Sequence, residues 1–203
     1  MAIARAGLLL ILTLSLHGCA TYQIAYFKPI GPGSYSKSQC GGPDYNLFVH
    51  LDKGLALTIS TVGMRGDGRR SISVGVHLGK GHIFQLASSN ITLINNEGQR
   101  VVLPLKDFSY FETDKSSLPY TPVMHSFPST AVLDGADAEE GSYNFLNSED
   151  EKNREYITHF DVDEVKWEKF RLEIPSVFFD GKKVSIPEIR FELRNETVIN
   201  YIC

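Results

Sequence analysis

Apolar residues recur at every second position over much of this chain, and glycine-containing turns separate the stretches in which they do. Leu47, Val49 and Leu51 share one phase, and a second stretch with the same period follows the turn Asp52-Lys53-Gly54. Ile72, Val74, Val76 and Leu78 repeat the pattern further along. Because alternate side chains of a β-strand point to the same face, this period predicts strands with one buried face each.

The last third of the chain returns to the same pattern. Asp180-Gly181 lies between two short apolar runs, which is a strong signal for a tight β-hairpin. Many short strands with frequent turns predict an all-β, antiparallel β-sandwich of immunoglobulin-like architecture, with a small barrel as the alternative. With 203 residues, of which 42% are hydrophobic, the chain can bury a substantial core. We expect residues 44–203 to form a single sandwich domain.

Two segments depart from this pattern. Residues 107–141 mix aromatic side chains with prolines and a run of acids, and predict a long excursion between the two halves of the fold. Residues 147–157 begin with Asn147-Ser148-Glu149, which offers a helix cap followed by acids, and one short helix is predicted there.

The first twenty residues have the layout of a signal peptide. Arg5 precedes the apolar run Leu8–Leu14, which is too short to span a bilayer, and Leu16-His17-Gly18-Cys19 follows. This ending resembles the bacterial lipobox. The resemblance implies a signal peptide over residues 1–18 and lipidation of Cys19. Because Ala20 stands where an inner-membrane retention signal has Asp, it also implies a lipid anchor in the bacterial outer membrane, with the domain facing the periplasm or the cell surface.

Residues 19–43 are rich in glycine, proline and serine and predict a tether after the lipidated cysteine. Tyr22, Ile24, Tyr26 and Phe27 leave open that part of the segment packs on the domain as an extra strand. Cys40 and Cys203 remain once Cys19 is lipidated, and an oxidising compartment favours one disulfide between them. Two free thiols or a bridge between two molecules are the alternatives.

Several classes of function lack their signatures. A net charge of −4 argues against nucleic acid as a partner, since phosphate binding needs a surplus of Lys and Arg. There is no Gly-x-Ser-x-Gly nucleophile motif and no phosphate-binding loop. We therefore predict no catalytic residue, no cofactor and no metal.

Two groups of residues are candidates for binding. Arg65, Arg69 and Arg70 make one locally basic loop, which suits an acidic partner, a lipid head group or lipopolysaccharide, although a solvated hairpin tip is the more common role. The second candidate surface is the aromatic excursion between Phe108 and Phe127.

These features together favour a non-catalytic, lipid-anchored accessory or protein-interaction module with another envelope protein as its partner. One alternative is a metal-assisted envelope hydrolase using His159, Asp161 and Asp163, which alternate along one strand face. A solvated polar face is the simpler explanation of that row. The other alternative is a sandwich that holds a small ligand between its loops.

Overall fold

The computed structural model describes residues 21–36, 46–62, 70–114, 121–135 and 153–199. All regular structure in these ranges is β-strand, and the strands pair antiparallel. The predicted antiparallel β-sandwich is confirmed. No helix of a length and apolarity suited to crossing a membrane occurs in these ranges.

Sixteen strands lie within the described ranges. In chain order they are β1 (Thr21–Ile30), β2 (Ser34–Ser36), β3 (Asn46–Asp52), β4 (Leu55–Val62), β5 (Ser71–Gly79), β6 (Ile83–Leu86), β7 (Asn90–Asn95), β8 (Arg100–Pro104), β9 (Phe108–Asp114), β10 (Thr121–Phe127), β11 (Leu133–Asp134), β12 (Asn153–Asp161), β13 (Lys169–Glu173), β14 (Val177–Phe179), β15 (Lys182–Val184) and β16 (Ile189–Ile199).

The strands form three sheets. The largest has seven strands in the order β10-β9-β12-β5-β4-β3-β2, and a five-stranded sheet has the order β1-β16-β13-β7-β8. A smaller four-stranded sheet has the order β11-β6-β14-β15. Strands β3, β4 and β5 follow one another through short connections, whereas β9 and β12 join the same sheet from far along the chain.

One hydrophobic core draws side chains from all three sheets. Leu57 and Val76 of the seven-stranded sheet line the same small space as Phe84 of the four-stranded sheet and Ile91 of the five-stranded sheet. The two smaller sheets therefore pack on the same face of the large one. The alternation seen in the sequence supplies this face, because every second residue of β4 and β5 points into the core.

The described part of the predicted tether forms two strands. β1 pairs with β16 over ten positions, from Thr21 opposite Ile199 to Ile30 opposite Arg190, and β2 pairs with β3. Tyr26 and Phe27 are each only 2% exposed. The prediction of a free tether is therefore wrong for residues 21–36, and the extra strand that the aromatic residues left open is present. Burial of these rings outweighs the loop-forming tendency of the neighbouring Gly and Pro.

The predicted helix is also corrected. Residues 153–157 lie in β12, which pairs with β5 over nine positions. Tyr156, Thr158 and Phe160 are buried at alternate positions of β12. That spacing is typical of a strand with one face in the core, and for residues 153–157 pairing with β5 replaces the predicted helix. Residues 147–152, which carry the cap and the acids, lie outside the described ranges.

Candidate functional site

The predicted aromatic excursion contains a β-hairpin at the edge of the seven-stranded sheet. β9 and β10 pair from Phe108 opposite Phe127 to Asp114 opposite Thr121, and β10 is the edge strand among the strands that the structure describes. Phe111 and Met124 stand directly opposite each other, and their side chains are 61% and 62% exposed. Val123 is 42% exposed on the opposite face of the hairpin. The hairpin thus presents a cross-strand pair of large apolar side chains to solvent.

The other face of this hairpin is held by aromatic contacts. The Tyr110 ring stacks on His125 with centroids 4.6 Å apart, and the Arg154 guanidinium lies 4.6 Å from the centre of the Tyr110 ring. Tyr156 meets Tyr110 edge to face at 5.5 Å, and its hydroxyl donates to the Asp134 carbonyl oxygen over 2.7 Å. These contacts fasten the hairpin to β12 and β11, so the exposed pair sits on an ordered support.

A polar cluster lies on three adjacent strands of the same sheet. His77 of β5 is 5% exposed, its Nε2 hydrogen-bonds Thr58 Oγ1 of β4, and Nε2 lies 3.6 Å from Glu155 Oε1 of β12. Burial, followed by the charge of His50, lowers the pKa of His77 to about 4, and burial raises the pKa of Glu155. His77 is therefore neutral at pH 7, and its contact with Glu155 is not an ion pair there.

This cluster does not have the arrangement of a hydrolytic triad. In a triad the hydroxyl and the carboxylate contact different nitrogens of the imidazole, whereas Thr58 and Glu155 both lie at Nε2 of His77. Thr58 is also only 8% exposed, which denies a substrate access to its hydroxyl. We assign the cluster a structural role: it joins β4, β5 and β12 across the sheet.

His82 and Asp180 form a second polar contact, at the opposite end of β5 from Ser71. His82 Nδ1 lies 2.8 Å from Asp180 Oδ2, and the other carboxylate oxygen accepts the Ile83 backbone N–H over 2.9 Å. These two hydrogen bonds, the backbone one first, lower the pKa of Asp180. The His82 ring also stacks on Phe179 at 4.9 Å. Asp180 thereby ties the β14–β15 hairpin to the start of β6.

Only Arg70 of the predicted basic loop lies in the described ranges. Its guanidinium lies 5.5 Å from the centre of the Phe27 ring, and its backbone N–H donates to the Asp163 carboxylate. Arg70 therefore helps to join the two larger sheets rather than standing free at a loop tip. Arg65 and Arg69 lie outside the described ranges, as do Cys19, Cys40 and Cys203, so the structure describes neither the anchor nor the predicted disulfide.

Two of the three residues of the metal alternative have separate structural partners. Asp161 forms an ion pair with Lys106 at 2.9 Å, and Asp163 lies beyond the end of β12, where it binds the Arg70 backbone. Within the described ranges no group of three or more His, Cys, Asp or Glu side chains is placed to hold a metal ion.

The space between the sheets lined by Leu57 and Phe84 measures about 10 Å³, room for one water at most.

The sequence pattern predicts the aromatic excursion as a candidate surface, but it predicts neither the exposed pair Phe111 and Met124 nor the cluster of Thr58, His77 and Glu155. The missed cluster left a weak signal, because His77 falls in the phase of Ser73 and Gly75 rather than in that of Val74 and Val76. Its partners come from other strands, and only the register reveals them.

Comparisons of the chain with family models, with curated proteins and with solved structures found no match.

Proposed function

We propose that this chain is a non-catalytic, lipid-anchored module of the bacterial envelope that binds another envelope protein through the β9–β10 hairpin. The observation that carries the proposal is the exposed pair Phe111 and Met124, which stand opposite each other on an edge hairpin. Exposing two large apolar side chains together is unfavourable unless a partner covers them.

The edge strand strengthens this argument. Sheet edges are commonly protected from pairing with other chains by Lys or other charged residues, and β10 contains none of Lys, Arg, Asp or Glu. Its one proline, Pro122, lies near the start of the strand. A strand with these properties suits an edge that is covered by a partner.

The membrane part of the proposal rests on the lipobox resemblance at Cys19. Only Ala20 separates this cysteine from Thr21, the first residue of β1. With Cys19 acylated, the sandwich is held close to the bilayer, since one extended residue spans about 3.5 Å. A partner within the same membrane, or resting on it, is then within reach.

Photo-crosslinking in intact cells tests the interaction. A photoreactive amino acid replaces Phe111 or Met124, and Val102 of β8 is the matched control because it is also 62% exposed but lies in another sheet. We expect positions 111 and 124 to capture the same envelope protein and position 102 not to capture it. Equal capture from all three positions, or capture from none, contradicts the proposal.

The anchor is tested separately with a Cys19→Ala variant that carries a cleavable signal. We expect this variant to leave the membrane fraction and to lose the crosslink from position 124. Retention in the membrane fraction would contradict lipidation at Cys19 while leaving the hairpin interaction to be judged from its own crosslinks.

A further inference from the structure

A second surface lies between the two smaller sheets, neither of which contains the β9–β10 hairpin. A cleft of about 310 Å³ opens between the end of β13 with the residues that follow it and the free edge of β15. One wall contains Ile174 and Pro175, and the other contains Lys183, Ser185 and Pro187. This volume falls at the lower end of the range for ligand sites, about 300 to 1,000 Å³.

The backbone of β15 is oriented toward this opening. On either side of β14, the Asp180 N–H donates to the Ile83 carbonyl and the Ser176 carbonyl accepts from the Ala87 N–H. The even-numbered residues from 176 to 180 therefore direct their backbone hydrogen bonds to β6. Val177 and Phe179 therefore bond to their partners in β15, which are Val184 and Lys182. The N–H and C=O of Lys183 point away from β14.

A two-residue turn determines which backbone groups of β15 point toward β14 and which point away. Asp180 and Gly181 have φ values of 50° and 74°, as the tight turn predicted from Asp-Gly requires, and they place Phe179 opposite Lys182. β15 is the edge strand of its sheet, and within the described ranges no hydrogen bond involves the outward N–H and C=O of Lys183. The N–H and C=O of Lys183 are thus available to hydrogen-bond a further strand.

The charges at the rim leave one cation without a counter-ion. Arg171 pairs with Glu188 at 3.4 Å, and Arg100 pairs with Glu173. Among the residues that the structure describes, the Lys183 ammonium takes part in no ion pair, although both acids beside the cleft have arginine partners. An acidic group entering the cleft would meet Lys183 as its open electrostatic partner.

We propose that this cleft binds an extended peptide segment, which adds as a strand to the edge of β15 and places one carboxylate against Lys183. Main-chain hydrogen bonds to Lys183 hold the segment, and the apolar walls formed by Ile174 and Pro187 take its uncharged side chains. Lys183 is of the residue type that protects a sheet edge against uncharged or basic strands, so the added segment needs an acidic residue to offset this charge. The preference is expected to weaken at high salt.

The test uses the full-length protein in detergent and two dye-labelled peptides with blocked termini. Both alternate valine and threonine, and they differ only in a central glutamate or lysine. In fluorescence anisotropy we expect the glutamate peptide to bind more tightly, and Lys183→Glu to weaken it about fivefold at low salt. Lys182→Glu is the matched control, because Lys182 neighbours Lys183 but does not line the cleft.

Hydrogen exchange read at single amides tests strand addition itself. We expect saturating glutamate peptide to slow exchange of the Lys183 N–H about tenfold, while the Val184 N–H, already bonded to Val177, changes little. Equal affinity for the two peptides, equal loss in the Lys182→Glu and Lys183→Glu variants, or unchanged exchange at Lys183 would each overturn the proposal, as would the absence of binding.

Discussion

At the scale of single residues, His77 lies in an environment that is unusually buried for an imidazole. An imidazole that is 5% exposed loses most of its hydration, so the neutral form is favoured, and the nearby His50 acts in the same direction. Burial also raises the pKa of the Glu155 carboxyl, because it disfavours the charged form. Gly75 makes room for this carboxylate, because a Cβ there would lie 2.8 Å from Glu155 Oε1.

The pKa of His77 has a consequence for stability. It is about 4 in the folded protein against 6.5 ordinarily, so the unfolded chain binds more protons between these values. His77 therefore makes its full contribution to the free energy of unfolding above pH 6.5. This contribution is about 3 kcal/mol, and it is lost as the pH falls toward 4. The raised pKa of Glu155 acts in the opposite direction, since it favours the folded state at low pH.

We expect His77→Gln to lose less stability than the unmodified protein between pH 6.5 and pH 4.5, because Gln does not ionise. Urea unfolding at several pH values measures this. His82→Gln is the control, since its side chain is 34% exposed and it lies outside the cluster. If His77→Gln and the unmodified protein showed parallel curves, the assigned burial of a neutral imidazole would be wrong.

At the scale of single elements, β1 shows how the sandwich recruits a segment that looks like linker. Phe27 meets Phe170 edge to face at 5.0 Å, and Arg70 covers its ring. We expect Phe27→Ala to destabilise the fold by about 3 to 5 kcal/mol, measured by chemical unfolding. Tyr35→Ala, at a ring that is 39% exposed, should cost far less. Similar small losses from both would show that β1 is not part of the cooperative fold.

The short strand β11 depends on a close backbone approach. A Cβ on Gly135 would lie 1.9 Å from the Gly79 carbonyl oxygen, which cannot move aside without disturbing β5. We expect Gly135→Ala to cost several kcal/mol, whereas Gly98→Ala should cost about 1 to 2 kcal/mol from its φ of +83° alone, since nothing lies nearby. Thermal unfolding of the two variants measures the difference, and equal midpoints would argue against this packing of Gly135.

At the scale of the whole molecule, the two predicted covalent features concern residues outside the described ranges. If Cys40 and Cys203 form a disulfide within one chain, the oxidised protein carries no thiol that alkylates after unfolding, and non-reducing gels show a monomer. We expect Cys203→Ser to lower the unfolding midpoint. The loss in the free energy of unfolding is at most about 5 kcal/mol. A disulfide-linked dimer, or two alkylated cysteines without reduction, would decide for one of the alternatives.

The sequence by itself determined the all-β fold class and the position of the hairpin at Asp180-Gly181, and it is the basis for the proposed membrane anchor. The period of two along β4 and β5, and the turn at Asp180-Gly181, depend on steric rules that act between near neighbours in the chain. The resemblance to a lipobox at Cys19 likewise rests on a local pattern. None of these patterns depends on which strand lies next to it, so each can be recognised from the sequence alone.

Only the tertiary structure decided which strands are neighbours and which side chains they share. Pairing of β1 with β16 and of β12 with β5 joins distant segments, and their local sequences suggested a tether and a helix. Exposure of Phe111 beside a well-packed Tyr110 depends on the phase of β9 in the sheet, which is set by burial on one face. The same non-local packing buries His77 and, among the described strands, leaves the edge of β15 unpaired.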